Sequence, residues 1–317
     1  MTDTATRASQ EIVADAPPGD VRTVHEVGSA ITVSTCGVEL FRYDYRPDIP
    51  EFECRIPYFH PLRTLSGDVV TGNRPHDHRW HKGLSMTASH LSGQNFWGGG
   101  SYLRDRGYVD LPNVGSLRHR GFVELTPGGR PAWLEEVDWI TAAGERWIAE
   151  RRSVTVRDVD PADGSWALEF GTELRNVRGE PVEFGSPTVF GRELAGYCGF
   201  FWRGPRSFTD GRVLASGGGQ GPEMMGETAT WLAYVGAHDE VDRSATLLFV
   251  DHPENPGHPP HWFVRTTPFP VVNPSLAFFE PRELADGDVL RLRYRLVLAD
   301  QAWDRERVER YLEVRAW

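Results

Sequence analysis

Short runs of alternating apolar and polar residues dominate this chain and restrict it to a fold built from strands. In SWALEFGTELRN (165–176), every second side chain from Trp166 to Leu174 belongs to a mostly apolar set. Successive side chains of a strand point to opposite faces, so this set would cover one face of a sheet. VLRLRYRLVLAD (289–300) repeats the pattern, and turn residues separate such runs at intervals of about 10 to 15 residues. The sequence therefore predicts an all-β fold, a large antiparallel β-sandwich.

The end of the chain carries the one pattern that is typical of a helix. Val308, Tyr311 and Leu312 follow one another at three- and four-residue steps, and Asp300 precedes them as a candidate cap. We expect a short C-terminal helix that covers a sheet edge. Since large sandwiches often exceed ~200 residues as one domain, the expected organisation is a disordered tail over residues 1–20 and a single sandwich domain over residues 21–317.

Composition argues against several kinds of partner. The chain has 34 basic and 45 acidic residues and a formal charge of −11, whereas nucleic-acid binding needs a clustered positive surface. No apolar run approaches the ~18 residues of a membrane-spanning helix. Three scattered cysteines without a CxxC pair, and an N-terminus unlike a signal peptide, predict reduced thiols and a cytoplasmic protein. The pattern predicts no oligomeric state.

The segment GNRPHDHRWHKGL (72–84) concentrates more reactive side chains than any other part of the chain. Pro75 keeps Arg74 out of the helical region, so the segment is predicted to be a loop. Its histidines form HxHxxH but lack the helix and glutamate of zinc proteases. Three interpretations stay open: a divalent metal bound by His78 and His81, proton transfer or substrate binding by the same imidazoles without metal, or a structural polar network.

A second histidine group lies in DHPENPGHPPHWFVR (251–265), where prolines stiffen the loop. His252 and His258 are candidate catalytic residues there, and Asn255 is a candidate ligand contact. The alternative is that each histidine caps a turn independently. His119 falls on the more apolar side of the predicted strand SLRHRGFVELT, where a buried, hydrogen-bonded histidine is the favoured interpretation.

A third candidate wall is GRELAGYCGFFWRGPRSF (191–208). Arg192, Glu193, Trp202 and Arg203 stand there among glycines that let a ligand approach the backbone. An indole can stack on the apolar face of a sugar while charged groups pair with its hydroxyls, so this set suits a carbohydrate. The alternative is an ordinary aromatic core patch. GxGxxG, GxxxxGK[ST] and GxSxG motifs in their required settings are absent from the sequence.

Four segments carry a resemblance to a known family: DHRWHKGL, GYCGFFWRGPRSF, DHPENPGHPPHWFVR and PSLAFFEPRELADGDVLRLRYRLVLAD. They resemble the PmoA-like family, labelled "methane oxygenase PmoA", over nearly the whole chain after the tail. His78 and His81 match the histidines of the family's DHxHHxG motif, with Trp80 in place of the middle one. The following residues also match family positions: His119, His252, Asn255 and His258.

The family label names a membrane-bound copper oxygenase, which the mean hydropathy of −0.43 contradicts. The closing strands are instead similar to the last hairpin of galactose-mutarotase-like sandwiches, whose ligands are sugars. The family is also similar to proteins found beside sugar oxidoreductases. The resemblance thus implies a small-molecule carbohydrate as partner.

Taken together, these features predict a carbohydrate-active enzyme that acts on a sugar or keto-sugar by histidine-based proton transfer, such as epimerisation or lyase chemistry. A divalent metal is an optional cofactor, with His78 and His81 as its ligands. The alternatives are a non-catalytic sugar-binding or regulatory protein and a soluble metal-dependent oxygenase. The expected catalytic residues are His78, His81, His252 and His258 in one shared site, and the expected substrate-binding residues are Trp202, Arg203, Arg192, Glu193, Asn255 and His119.

Overall fold

The computed structural model describes residues 11–13 and 21–317. Strand β1 (Glu11–Val13) pairs antiparallel with β2 (Arg22–Glu26). It belongs to the segment expected to be a disordered tail, and the other residues of that segment lie outside the described residues.

The larger of two sheets contains twelve of the strands formed by the described residues. Besides β1 and β2, its strands are β3 (Ala30–Thr35), β4 (Val38–Asp44), β5 (Tyr58–Leu62), β6 (Leu84–Leu91), β7 (Gln94–Phe96), β14 (Val182–Gly185), β15 (Gly199–Arg203), β19 (Trp262–Arg265), β20 (Val271–Pro274) and β21 (Arg282–Leu284). Nine of them follow the order β1-β2-β3-β4-β5-β6-β15-β20-β19, while β7 and β14 pair with β6 and β21 pairs with β14.

The smaller sheet has eight strands in the order β10-β11-β12-β13-β22-β18-β17-β16. They are β10 (Ser116–Thr126), β11 (Ala132–Ile140), β12 (Arg146–Asp160), β13 (Ser165–Asn176), β16 (Arg212–Ala215), β17 (Trp231–Ala237), β18 (Ser244–Asp251) and β22 (Val289–Ala299). A separate hairpin is formed by β8 (Ser101–Leu103) and β9 (Gly107–Val109).

The main core lies between the two sheets and confirms the alternation seen in the sequence. Trp166 pairs with Leu298 across β13 and β22, Phe170 pairs with Tyr294, and these side chains belong to one buried cluster. Adjacent pairs on one face of an antiparallel sheet are the units that stabilise it. The predicted large antiparallel β-sandwich is therefore confirmed.

A network of buried charged side chains interrupts this core at β12. Glu150 and Arg152 point inward with the apolar residues of that strand. Arg152 Nε lies 2.8 Å from Glu150 Oε1, and Arg152 Nη1 donates to the Tyr43 hydroxyl at 3.0 Å. That hydroxyl donates to Glu135 at 2.5 Å, and Glu135 accepts from His119 Nδ1 at 2.7 Å. Each buried charge is thus paired.

The predicted C-terminal helix is present as α1 (Arg305–Val314). Its cap is Asp304, which accepts from the Arg307 N–H at 2.8 Å, because a capping side chain must directly precede the first helical turn. Asp300, the expected cap, binds Ser66 instead. The helix packs on the outer face of the smaller sheet rather than on an edge, since Val308 and Tyr311 share a cluster with outward side chains of β16, β17, β18 and β22.

Among the described residues, no helix has the length and apolar character needed to cross a bilayer. The three cysteines are unpaired. Burial raises the pKa of the Cys54 and Cys198 thiols to about 12, so both behave as small apolar side chains. The cytoplasmic location stays a prediction.

Candidate active site

A cavity of about 300 Å³ opens on the outer face of the larger sheet. Its walls are largely aromatic, and the aromatic side chains are Trp80, Trp97, Tyr108, Tyr197, Phe201, Phe263 and Phe269. The polar side chains that line it are His78, His81, Arg192 and Arg265. A mostly apolar concavity with a few convergent polar groups is the usual form of a small-molecule site.

Strand β15 supplies the floor of the cavity and decides which of its residues can reach a ligand. Phe201 lines the cavity, whereas Phe200 and Trp202 belong to the core between the sheets. Trp202 is 0 % exposed and its indole N–H donates to the Val70 carbonyl at 2.9 Å. The expected role of Trp202 as a sugar platform is therefore wrong, because strand alternation turns it away from the cavity.

Arg203 ends β15 on the same face as Phe201 and holds the histidine loop (residues 72–83) through its backbone. Its N–H donates to the Gly83 carbonyl at 2.7 Å, and its carbonyl accepts from the Gly72 N–H at 2.8 Å. Within the loop, the Arg74 N–H donates to the His81 carbonyl at 2.8 Å. The two ends of the loop are thus fixed to a central strand of the sheet, which sets the positions of its imidazoles.

Glu53 and Lys82 anchor the loop from below. Both side chains are buried. The Glu53 carboxylate accepts two hydrogen bonds from the Arg74 guanidinium, at 2.6 and 2.8 Å, and Lys82 Nζ donates to the backbone carbonyls of Glu53 and Trp80. Burial lowers the pKa of Lys82 to about 8.

Trp80 rests on the glycine triplet that follows Trp97. An added Cβ on Gly98 would lie 2.7 Å from Trp80 Cβ, and one on Gly99 would lie 2.7 Å from the indole ring. Both glycines also have positive φ, 98° and 67°, which other residues rarely adopt. The triplet therefore provides the surface against which Trp80 forms one wall of the cavity.

His78 is half-buried, with one ring nitrogen near a carboxylate. Its Nδ1 lies 3.4 Å from Asp77 Oδ2, and Asp77 also accepts from Arg206 at 2.7 Å. Burial lowers the pKa of His78, the Asp77 carboxylate opposes that effect, and the guanidinium groups of Arg203 and Arg206 add to it. The net result is a neutral imidazole near pH 7 whose Nε2 has no hydrogen-bond partner among the described residues.

His81 is buried, and its ring centroid lies 4.8 Å from that of His78. Arg203 Nη1 lies 3.4 Å from His81 Nδ1. Since a guanidinium can only donate, Nδ1 must be the acceptor and the proton of the neutral ring sits on Nε2. Burial, reinforced by Arg203, holds the pKa of His81 well below its ordinary value. His81 therefore offers an N–H donor next to the free nitrogen of His78.

Two tyrosines and an arginine form another part of the cavity wall. The hydroxyl oxygens of Tyr108 and Tyr197 lie 2.6 Å apart, and Arg192 donates to the Tyr108 hydroxyl. Arg192, an expected substrate-binding residue, thus reaches the cavity. Its neighbour Glu193 is exposed and does not line it.

The donor set does not fit a divalent metal. The described residues contain no group of three or more histidine, cysteine, aspartate or glutamate side chains placed to hold one. His76, the third histidine of the motif, is exposed, and the nearest charged neighbour of His81 is the guanidinium of Arg203. Two imidazoles beside a cation favour binding of an electron-rich group over a metal ion.

His252 and His258 of the second histidine group do not line this cavity, although Phe263 and Arg265 at the end of the same segment do, so the expectation that the four histidines share one site is wrong. Asn255, expected to contact substrate, is buried and ties the loop to the smaller sheet, because its Nδ2 donates to the Arg293 carbonyl at 2.8 Å. His258 Nδ1 lies 2.7 Å from Asp251 Oδ2, beside a separate cavity of about 720 Å³ that Asp251 lines. His252 packs against Trp317, with ring centroids 4.6 Å apart.

His119, the remaining candidate, is not in the cavity either. Its side chain is 5 % exposed, pairs with Glu135 and lies against Tyr45, with ring centroids 4.4 Å apart. This is the buried, hydrogen-bonded arrangement favoured from its strand position. The expectation that His119 contacts a substrate is therefore wrong.

Sequence reasoning missed several residues that form the cavity. Arg265 belongs to the quoted segment HWFVR, in which Phe263 and Arg265 share the face opposite Trp262 and Val264. The sequence signal that could have identified Arg265 was an arginine at the end of a strand whose other residues are apolar. Trp97 directly precedes the glycine triplet and Tyr108 lies in the three-residue strand β9, so no periodic pattern in the sequence distinguishes either residue. Phe269 follows a Pro-containing turn and carries no signal of its own.

The family of the chain follows from a sequence match. A family model described as "Family of unknown function (DUF6807)" matches residues 30–313. The chain belongs to this family. No curated protein matches it, and the resemblance to the PmoA-like family stays a prediction.

Similar solved structures include three α-galactosidases. The GH36 enzyme AgaA from Geobacillus stearothermophilus is 11 % identical with a TM-score of 0.36, and AgaB from the same organism is 12 % identical with a TM-score of 0.38. Each alignment covers 92 % of this chain. The enzyme from Lactobacillus brevis is 8 % identical with a TM-score of 0.38 over 94 % of this chain. The chain spans 41 % of the length of each of these proteins.

Proposed function

We propose that this protein is an enzyme that removes a proton from a carbon next to the carbonyl group of a sugar or keto-sugar. The supporting observation is the pair of neutral imidazoles, with ring centroids 4.8 Å apart, at one end of an aromatic cavity. One imidazole has a free basic nitrogen and the other has a fixed N–H donor. Removal of a proton from a carbon next to a carbonyl group requires a base that takes the proton and a neighbouring hydrogen-bond donor to the carbonyl oxygen.

The proton and electron balance assigns each imidazole a role. The C–H bond breaks, its proton moves to Nε2 of His78, and the electron pair passes into the carbonyl group to give an enolate. The Nε2–H of His81 donates to the enolate oxygen, and the cation of Arg203 behind it favours the developing negative charge. Protonation of the same carbon from its opposite face completes an epimerisation. Protonation of the former carbonyl carbon, with loss of the proton from the neighbouring hydroxyl group, completes an isomerisation. Loss of a group from the next carbon completes a lyase reaction.

The aromatic walls support a sugar-like ligand. Trp80 and Trp97 line the cavity and offer apolar faces to the C–H side of a sugar ring, while the tyrosine hydroxyls and arginines reach polar substituents. The cavity volume of about 300 Å³ suits one small molecule rather than a polymer chain.

Deuterium exchange tests this proposal without knowledge of the product. The full chain is incubated in D₂O with a panel of keto-sugars, aldoses and sugar acids, and each compound is analysed by NMR and mass spectrometry. We expect one carbon-bound deuterium to enter at least one compound, at the position next to its carbonyl group. Binding of a sugar without exchange at any pH would instead establish a non-catalytic sugar-binding protein.

The pH dependence of exchange should respond in opposite directions to two neighbouring substitutions. Asp77 raises the pKa of His78 and Arg206 lowers it. Asp77→Asn should therefore lower that pKa, so that the basic form persists to lower pH and the acid limb of kcat/KM moves down. Arg206→Gln should move the limb up. Profiles of kcat/KM against pH measure both shifts, and equal profiles for the two variants would contradict the assignment of His78 as the base.

A further inference from the structure

Within residues 21–317, three arginine side chains are fully buried, and two of them have a carboxylate partner. Arg152 has Glu150 at 2.8 Å, and Arg295 has Glu169 at 2.8 Å. Arg203 is 1 % exposed and has no ion pair among the described residues. Its Nη2 is buried without a hydrogen-bond partner. A buried charge of this kind is costly unless a partner arrives.

Arg265 repeats this situation at the cavity wall itself. It lines the cavity, and the described residues give its side chain no hydrogen bond and no ion pair. Burial lowers the pKa of Arg265, the neighbouring Arg192 lowers it further, and no carboxylate counteracts them. Arg192 donates a hydrogen bond to the Tyr108 hydroxyl, which is not a carboxylate.

The charges around the cavity leave a positive surplus. No aspartate or glutamate lines the cavity. Of the carboxylates near the histidine loop, Glu53 is held by Arg74 and Asp77 is held by Arg206. Arg192 and Arg265 thus line a cavity that has no carboxylate in its wall, and Arg203 adds a third positive charge behind His81.

We propose that the cavity binds its ligand through a carboxylate, held at the wall formed by Arg265 and Arg192. Guanidinium groups bind carboxylates in a forked geometry that fits a planar acid group. The sugar character of the ligand rests on the proposed function, and together the two make the ligand a sugar acid rather than a neutral sugar.

Matched pairs of ligands test the inference. The probes are D-galacturonate, D-glucuronate and D-gluconate, with D-galactose, D-glucose and glucose 6-phosphate as neutral and phosphorylated counterparts. Their Kd values are measured by calorimetry at low ionic strength and checked by the change in intrinsic tryptophan fluorescence on binding. We expect at least one acid to bind about 10-fold or more tightly than its neutral counterpart, and added salt to weaken only the acid.

Substitutions then locate the acid group. Arg265→Met should weaken the best acid by about 10- to 100-fold and weaken neutral sugars by a much smaller factor. Arg104→Met removes an equal charge from an exposed position in the hairpin that carries Tyr108, and it should change the affinity by less than about threefold. Equal binding of acids and neutral sugars, tighter binding of the phosphate, or no binding of any acid at millimolar concentration would overturn the inference.

The outcome is separable from that of the proposed function. If a neutral keto-sugar exchanges deuterium and acids bind no more tightly than neutral sugars, the proposed function stands and the carboxylate site is rejected. If an acid binds in a manner that depends on Arg265 and no compound exchanges deuterium, the carboxylate site stands and the catalytic role is rejected.

Discussion

Replacing Glu150 with alanine is expected to lower the free energy of unfolding by about 3–5 kcal/mol. The Glu150 carboxylate accepts hydrogen bonds from Arg152, from the indole of Trp139 at 2.7 Å and from Thr172 at 2.9 Å. Burial alone would lower the pKa of Arg152, but Glu150 and its neighbours raise it overall. Without Glu150, a full positive charge would stay buried with no carboxylate bonded to it directly, because Glu135 reaches Arg152 only through the Tyr43 hydroxyl.

Urea denaturation measures this loss, and two further variants show whether it comes from the unpaired charge. Glu150→Ala combined with Arg152→Met removes both charges and should recover a large part of the loss. Glu173→Ala breaks an exposed pair with Arg291, whose side chains are 44 % and 64 % exposed, and should cost about 0–1 kcal/mol. A double variant as unstable as Glu150→Ala would mean that packing, not charge, explains the effect.

The sandwich could be predicted because its period-two pattern is a local property of the sequence. Leu168 and Leu296 belong to the inward-facing sets of their own strands and pair across β13 and β22. The network of Glu150, Arg152 and Glu135 could not be predicted, because each of these charges looks solvent-exposed in the sequence. Their pairing depends on the register between strands and on Tyr43 from the other sheet.

The part of the candidate site that could be predicted consists of the histidine loop together with Arg192 and Arg203 from the segment 191–208. His78 and His81 lie in one loop and do meet, and Arg203 meets them because its backbone bonds to that loop. The loop that holds His252 and His258 has a similar composition, but it follows β18 in the smaller sheet and so lies elsewhere. Composition indicates the chemistry of a loop, whereas the order of strands in each sheet decides which loops are neighbours.

His78→Gln is expected to reduce the rate of deuterium exchange by about 10²- to 10⁴-fold. Glutamine keeps a polar side chain of similar length but cannot take up a proton near pH 7, so the C–H bond has no base. The ring of His78 is half-buried at the cavity and makes no hydrogen bond that holds the fold together, so the melting temperature should stay within a few degrees. Binding of a substrate analogue should change far less than the rate, because His78 acts on the reacting carbon.

His76→Gln is the matched control, since His76 belongs to the same loop, is exposed and does not line the cavity. It should leave the exchange rate and the melting temperature unchanged. Comparable losses in both variants would assign the effect to the loop as a whole. If the His78→Gln protein exchanges deuterium at the native rate, His78 is not the base. His81 cannot take its place, because its neutral ring already carries a proton on Nε2 and Arg203 holds the ring in that form. The cavity would then have a binding role.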